Sequence, residues 1–367
     1  MQNTPAGFGE AMRVAARRAL TAAPEEVRVC RFLFADMPVE ITFTGLTLCH
    51  QLTRSWSHLM VEEFGDRQPV LRIELWDGLA SGVERPIGDL RDVYEDTSPF
   101  GDGILVRSTD GEYLGHQTPR ACTLFDTESH SILGWVSSAE ALSRSEIGKP
   151  LQPILFAWYN SRGIQPVHAG LISRGEQGVL IGGAGGSGKS TTSLLCVQAG
   201  FSYLADDYVG LPAVSGYGQL AYSFYTSLWL EEEHSKRFEW LLANRMKGQL
   251  SGEVKLPFGI AEAFPKSMVT RCIVRAVVLP QVAHLSVSRL RQATTAEALL
   301  KLAPSSVLQL PFIQPGKALQ RISEVLRRVP CFWLDLGTDF DSIPLRVDEA
   351  LDQAMGSADI AYARSTG

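Results

Sequence analysis

Two spacings of apolar residues run through the first third of the chain and predict two kinds of element. Residues 39–44 and 71–76 alternate apolar and polar side chains, which is typical of half-buried strands. Between them, apolar residues over 48–59 recur at helical spacing. Residues 92–115 are rich in Asp, Gly, Ser and Pro and predict loops or hairpins. Together these patterns predict a small N-terminal α+β domain over residues 1–130, where a substrate or partner would bind.

The rest of the chain shifts repeatedly between short apolar runs and helical patterns. The predicted strands are 169–172, 179–181, 201–205, 272–279 and 331–334, and the predicted helices are 151–159, 191–198, 298–302, 319–326 and 347–355. Such alternation is typical of a mixed α/β fold. We therefore predict an α/β domain over residues 131–355. The small, polar residues 356–367 predict a disordered tail.

Composition and charge narrow the classes of partner. The chain has 367 residues and a net charge of −6, which argues against broad binding to nucleic acid. No apolar stretch approaches the roughly 20 residues that cross a bilayer, so we expect no membrane partner. The six cysteines lack C-x-x-C spacing, which favours buried free thiols over a metal site and fits a reducing cytoplasm. None of this fixes the oligomeric state, and a homo-oligomer stays open.

One segment matches the phosphate-binding loop pattern G-x-x-x-x-G-K-[ST]. It lies between the apolar strand 179–181 and the helix 191–198. The predicted nucleotide-binding residues are Gly183, Ala184, Gly185, Gly186, Ser187, Gly188, Lys189, Ser190 and Thr191. Glycines let backbone N–H groups wrap a phosphate, the lysine supplies a positive charge, and the helix N-terminus faces the anion. The Ser190 hydroxyl can reach a phosphate-bound Mg²⁺.

Asp206 and Asp207 follow the predicted strand 201–205 directly. In parallel α/β sheets, ligands gather at the carboxyl ends of strands, so we expect this pair and the phosphate loop to share one sheet edge. One carboxylate can then hold Mg²⁺ with Ser190, while the other accepts the proton of an acceptor hydroxyl. His168 precedes a strand predicted to pair with the loop strand, and it is either a site residue or a packed core residue.

The motifs of other classes of nucleotide-binding protein match this sequence less well. The segment 207–210 reads as the D-x-x-G of small GTPases, but no guanine-reading N-K-x-D follows anywhere in the chain. A transporter-type L-S-G-G-Q before a second acidic motif is missing, as are the H-R-D and D-F-G motifs of protein kinases.

Around these motifs the chain resembles the HPr kinase/phosphorylase family and its HPr-kinase-related serine kinase branch. That family shows H-[GA]-x-x, a strand, G-x-x-G-x-G-K-S, a helix ending in Gly, and then L-x-[AS]-D-D. The matching positions are His168, the loop 183–190, Gly200 and the run 204–207. The likeness covers about 40 residues and keeps the family's order and spacing. The family's later L-E-x-R-G-x-G signature is missing, so the resemblance does not extend to HPr as the substrate.

The resemblance implies a phosphoenolpyruvate-carboxykinase-like core and a role for each matched residue. Lys189 would bind the β- and γ-phosphates, and Ser190 and Asp206 would hold the metal. Asp207 would be the base, and His168 would line the site near the acceptor.

The sequence thus predicts an ATP- and Mg²⁺-dependent phosphotransferase that acts on a hydroxyl, with a serine of a peptide or small protein as the acceptor. Two alternatives stay open at this point. One is a small-molecule kinase on the same fold, and the other is a non-catalytic nucleotide sensor that binds a partner through residues before about 130.

Overall fold

The chain divides into two compact units. The computed structural model describes residues 4–86, 88–213, 218–250, 254–312 and 314–365, without the side chains of 357–365. Met1–Trp158 and Glu231–Phe258 form the first unit, and Tyr159–Leu230 and Gly259–Gly367 form the second. The boundary expected at residue 130 therefore lies inside the first unit. It falls between two strands that pair with each other, because the polar stretch before it forms hairpins rather than a linker.

The first unit is built on one large sheet. Its elements are α1 (Pro5–Ala22), β1 (Val27–Phe34), β2 (Met37–Thr44), α2 (Leu46–Thr53), β3 (Met60–Val61), β4 (Leu71–Asp77), α3 (Gly78–Ser81), β5 (Asp96–Phe100), β6 (Gly103–Arg107), β7 (Tyr113–Gln117), β8 (Ala121–Asp126), β9 (Ser131–Val136), α4 (Arg144–Gly148), α5 (Gln152–Ser161, which runs on into the second unit) and α7 (Glu232–Ser235). Among the described residues its strand order is β3-β1-β2-β4-β9-β8-β7-β6-β5. Only β4 is parallel to its two neighbours, β2 and β9; the other pairs are antiparallel.

Helix α1 covers part of one face of this sheet. Thr4 caps its N-terminus and a proline occupies its first turn, which is a common way to start a helix. Its buried side chains, Phe8 and Met12 among them, pack with Trp76 and Trp135 from β4 and β9. The predicted strands 39–44 and 71–76 are confirmed. The helical segment predicted over 48–59 is an α-helix from Leu46 to Thr53 that continues as a 3-10 helix from Arg54 to Leu59.

The second unit carries a mixed sheet flanked by helices. Its elements are β10 (Gln165–Val167), β11 (Gly170–Arg174), β12 (Gln177–Ile181), α6 (Lys189–Gln198), β13 (Ser202–Ala205), β14 (Val209–Leu211), β15 (Gln219–Ser223), β16 (Ser227–Glu231), β17 (Lys255–Gly259, mostly in the first unit), α8 (Ile260–Ala263), β18 (Arg271–Val287), β19 (Arg289–Ala293), α9 (Thr295–Val307), α10 (Pro315–Leu326), β20 (Cys331–Asp339) and α11 (Ser342–Ser365). In the described residues the order is β10-β14-β15-β18-β12-β11-β13, and β20 pairs with both β18 and β19.

The second unit has a mixed sheet, in agreement with the predicted mixed α/β fold, although the shared sheet edge was expected from the geometry of a parallel sheet. Strands β12, β18 and β20 run parallel, but β11 is antiparallel to both of its neighbours, β12 and β13. The cause is the tight turn at Gly175, with φ of +59°, which folds β12 straight back along β11. The predicted pairing of the strand after His168 with the loop strand is confirmed.

Two further predictions concern helices. The capping box of α9 is present, with Thr294 and Glu297 each bonding the backbone of the other. Helix α11 runs on to Ser365, whereas the sequence predicted disorder from residue 356. Residues 366 and 367 lie outside the described part of the chain. In the part that the structure describes, no helix is both long enough and apolar enough to cross a membrane.

Candidate active site

Three segments of the second unit meet at one edge of its sheet. Gly170, the first residue of β11, lies opposite Ile181 at the end of β12, and Leu171 lies opposite Ala205 at the end of β13. The residues before β11 and those after β12 and β13 therefore leave the sheet together. These are His168, the phosphate loop and the two aspartates, so the sequence's expectation of a shared edge holds even though β11 separates the two strands.

Glycines set the path of the phosphate loop where the chain bends most. Gly183, Gly186 and Gly188 have positive φ angles of +147°, +76° and +104°, which other residues rarely adopt. A side chain at Gly183 would also approach Ser187 Oγ to 2.7 Å, and one at Gly188 would overlap Leu336. Gly185, by contrast, faces open space. The loop is therefore closed at both of its ends and exposed in its middle, where Ala184, Gly185 and Gly186 are accessible.

Lys189 begins α6 and lies over the loop. Its Nζ donates to the carbonyl oxygens of Gly183 at 2.8 Å and Ala184 at 3.1 Å, and only 7% of the residue is exposed. Backbone carbonyl dipoles thus help to hold the ammonium at the mouth of the loop. A phosphate in the loop would meet a positive charge together with the N-terminus of a 10-residue helix.

Ser190 and Thr191 occupy the first turn of α6 and are half-buried. An oxygen set of one hydroxyl and one or two carboxylates is what Mg²⁺ takes when phosphate oxygens and water complete its shell. No group of three or more His, Cys, Asp or Glu side chains suited to a metal occurs in the described residues.

The two adjacent aspartates point in different directions. Asp206 is 2% exposed, and its Oδ2 accepts the backbone N–H of Trp229 at 2.9 Å. Its carboxylate therefore ties the end of β13 to the segment at β16. The role of Asp206 as a metal ligand stays a prediction.

Asp207 faces His168. Its Oδ1 lies 2.6 Å from His168 Nε2, and the two side chains are 22% and 18% exposed. The His168 backbone N–H donates to Ser306 Oγ at 3.0 Å, and the imidazole lies 5.1 Å from the Tyr208 ring, centroid to centroid. The carboxylate and the aromatic ring orient the imidazole, and the Ser306 hydroxyl holds the backbone of His168. The pair can pass or share one proton at an accessible point of the sheet edge.

A cavity of about 170 Å³ opens beside the loop. Residues Gly183–Ser187 line one side, residues 279–282 in the middle of β18 line another, and Lys301 and Trp333 complete it. The Lys301 ammonium lies 5.5 Å from the Trp333 ring centroid, and Trp333 Nε1 donates to Glu297 Oε1 at 3.1 Å. Sequence reasoning missed Lys301 and Trp333, because they come from α9 and β20 and match no motif.

The structure thus brings the predicted residues together at one edge of the sheet. The loop 183–191, His168 and Asp207 lie at this edge. Asp206 lies there too, but its side chain is buried. An anion-binding loop, a lysine and a carboxylate–imidazole pair are the parts that phosphoryl transfer to a hydroxyl needs.

Comparison with known proteins adds little to this picture. No protein-family model matches the chain, and no curated protein matches it. Among solved structures it is similar to the HPr(Ser) kinase/phosphatase from Coxiella burnetii, with 14% identity over 55% of this chain and 96% of that chain and a TM-score of 0.31. A likeness at that score supports no conclusion about the function of this chain.

Proposed function

We propose that this chain is an ATP- and Mg²⁺-dependent kinase that transfers the γ-phosphoryl group of ATP to a hydroxyl. The observation that carries the proposal is the 2.6 Å contact between His168 and Asp207 at the sheet edge where the phosphate loop also begins. A loop of this kind holds a nucleotide in many classes of protein. A carboxylate paired with an imidazole beside it adds a group that can take a proton.

In the proposed reaction, the acceptor hydroxyl donates a hydrogen bond to the Asp207 carboxylate. As the hydroxyl oxygen bonds to the γ-phosphorus, its proton passes to Asp207 and the bond to the bridging oxygen of ADP breaks. His168 holds the carboxylate in position through Nε2. Ser190 and Asp206 would hold a Mg²⁺ ion, which would supply positive charge to the phosphate oxygens.

The donor side depends on Lys189. In the proposed complex its ammonium moves from the carbonyls of Gly183 and Ala184 to the phosphate oxygens, a short shift of a flexible side chain. Lys301 adds a second positive charge across the cavity, because its ammonium lies on the Trp333 ring next to the loop. The cavity has room beside the loop for part of the nucleotide.

For the acceptor, we propose a serine of a peptide or small protein. The resemblance of residues 168–207 to HPr-kinase-related serine kinases supports this choice. The geometry alone supports a hydroxyl of any kind, since a carboxylate base accepts a proton from a sugar or metabolite equally well.

The test is transfer of label from γ-labelled ATP with Mg²⁺ to the proteins and peptides encoded beside this chain. We expect Lys189→Ala to lower transfer by at least about 100-fold, because the charge that meets the phosphates is lost. Lys317→Ala is the matched control, since Lys317 is an exposed lysine on α10 of the same unit. Equal transfer by Lys189→Ala and wild type would refute the kinase.

The same assay separates the alternatives. Label in a metabolite fraction, with none in protein, would show that the acceptor is a small molecule and not a serine. Tight ATP binding with no transfer to any acceptor would identify a nucleotide sensor instead of an enzyme.

A further inference from the structure

Two cysteines of the first unit lie side by side. Cys30 on β1 and Cys49 on α2 bring their Sγ atoms within 3.7 Å of each other, and both residues are half-buried. The four other cysteines, Cys122, Cys196, Cys272 and Cys331, are buried. The chain therefore holds one accessible pair of thiols and a set of protected ones.

The turn between β2 and α2 creates this contact. Gly45 has a φ of +133°, and its N–H donates to the Glu26 carbonyl at 3.0 Å. The next residue, Leu46, donates its N–H to Glu26 Oε2 at 2.7 Å. The first turn of α2 is thus fastened beside the segment that precedes β1, and Cys49 reaches Cys30 one helical turn later.

The surroundings favour reactivity at one of the two sulfurs. The hydrogen bond from Cys49 and the positive charge of Arg28 lower the pKa of the Cys30 thiol to about 7. The same hydrogen bond, together with burial, raises the pKa of Cys49. At neutral pH the pair therefore presents a thiolate next to a thiol, which is the arrangement that attacks peroxides and disulfides.

We propose that Cys30 and Cys49 are a reversible disulfide site that forms when the chain meets a peroxide. The Cys30 thiolate attacks one peroxide oxygen, and the O–O bond breaks to give a sulfenic acid and, with one proton, water or an alcohol. The Cys49 sulfur then displaces the sulfenic oxygen as water, and the S–S bond forms. The two thiols lose two electrons and two protons, which the peroxide accepts. A small dithiol reverses the reaction by exchange.

Formation of the bond requires the two sulfurs to move closer together. A disulfide needs the sulfurs about 2.05 Å apart, and the present separation is that of two thiols in contact. The bond would join α2 to β1 and close the loop between residues 30 and 49. This site lies in the first unit, so the proposal stands or falls independently of the proposed kinase.

The experiment treats the full chain with one equivalent of hydrogen peroxide, blocks free thiols under denaturing conditions, and digests with trypsin without reduction. Cleavage after Arg28, Arg31 and Arg54 places the two cysteines in the peptides 29–31 and 32–54. We expect these peptides to appear as one linked species that has lost two hydrogen atoms and that vanishes after dithiothreitol. Recovery of both as free, alkylated peptides after peroxide would overturn the proposal.

Two further measurements sharpen the result. In the native reduced chain, alkylation should modify Cys30 first, with a rate that rises to half its limit near pH 7, while the four buried cysteines stay unmodified. Cys49→Ser should lose the linked species and accumulate sulfenic acid at Cys30. A disulfide between any other pair of cysteines would contradict the assignment. The peptide analysis uses the wild-type chain, so its result does not depend on whether a variant folds.

Discussion

Each unit has an aspartate at or just after the end of a strand, but the two carboxylates have different surroundings. Asp77 closes β4 in the first unit and is 3% exposed, and backbone N–H groups reach both of its oxygens, from Ala80 at 3.0 Å and from Ala139 at 2.7 Å. Asp207 follows β13 in the second unit and meets a histidine side chain at an accessible edge. The partners of a carboxylate at the end of a strand, and not its position there, therefore decide whether it is bound up in backbone hydrogen bonds or accessible to a ligand.

Asp206 belongs with Asp77 in this comparison. Asp206 is buried and its Oδ2 accepts the backbone N–H of Trp229, whereas the next residue, Asp207, is partly exposed. Asp206 and Asp207 both lie in a bend after β13, where one carboxylate is buried against a backbone N–H and the other meets His168. Two adjacent aspartates at the end of one strand can therefore have different surroundings.

The largest effect we expect on stability separates the two strand-end aspartates. Asp77→Ala leaves the buried N–H of Ala139 without its acceptor and removes the cap of α3, so the free energy of unfolding should fall by about 2–4 kcal/mol. Asp207→Ala should change it by less than about 1 kcal/mol, because the side chain is partly exposed. Urea unfolding of both variants checks this. A larger loss for Asp207→Ala would break the comparison.

Two glycines of the phosphate loop provide the next contrast. Gly188→Ala forces a side chain into a φ of +104° and against Leu336, which should cost about 1–3 kcal/mol and disturb the start of α6. Gly185→Ala meets open space and should leave the unfolding midpoint unchanged. Thermal unfolding with and without ATP distinguishes the two. Equal losses of stability would show that the loop's path does not depend on Gly188.

The first unit contains a histidine, His116, whose pKa is lowered by burial, in contrast to the accessible His168 of the second unit. Burial lowers the pKa of His116 to about 4, whereas an unfolded histidine titrates near 6.5. Between pH 7 and pH 5 the unfolded chain gains this proton and the folded chain does not, so stability should fall by about 1–2 kcal/mol on acidification. His116→Asn should reduce that dependence in urea titrations at the two pH values. His234→Asn, at an exposed histidine of the same unit, should retain it.

The smallest effect concerns Lys301. Its ammonium lies beside the loop but on an exposed side chain, so Lys301→Ala should raise the KM for ATP by about 3- to 10-fold and leave kcat nearly unchanged. The exposed Lys317→Ala again serves as the control. A drop in kcat with KM unchanged would move Lys301 from nucleotide binding to the chemical step.

Much of the second unit could be predicted because its signals are local. The loop, its flanking strand and helix, and the capping box at Thr294 each occupy a few consecutive residues whose types suffice. The hairpin of β11 with β12 is local, but the pairing of β11 with β13, which lies beyond α6, could not be predicted, since pairing over long separations leaves no short pattern. The different surroundings of Asp206 and Asp207, the cation at Lys301 and the contact of Cys30 with Cys49 depend on such pairing, and so they emerged only in the structure.

The most direct test of the account measures ATP binding and phosphoryl transfer on the same preparation of Asp207→Asn. This variant keeps the shape of the side chain and its distance from the phosphate loop but cannot take a proton. We predict that ATP binds with an affinity within about threefold of wild type, while transfer from γ-labelled ATP falls by about 10²- to 10⁴-fold. Transfer at the wild-type rate by Asp207→Asn would contradict the proposed role of Asp207, and with it the kinase site assigned to this sheet edge.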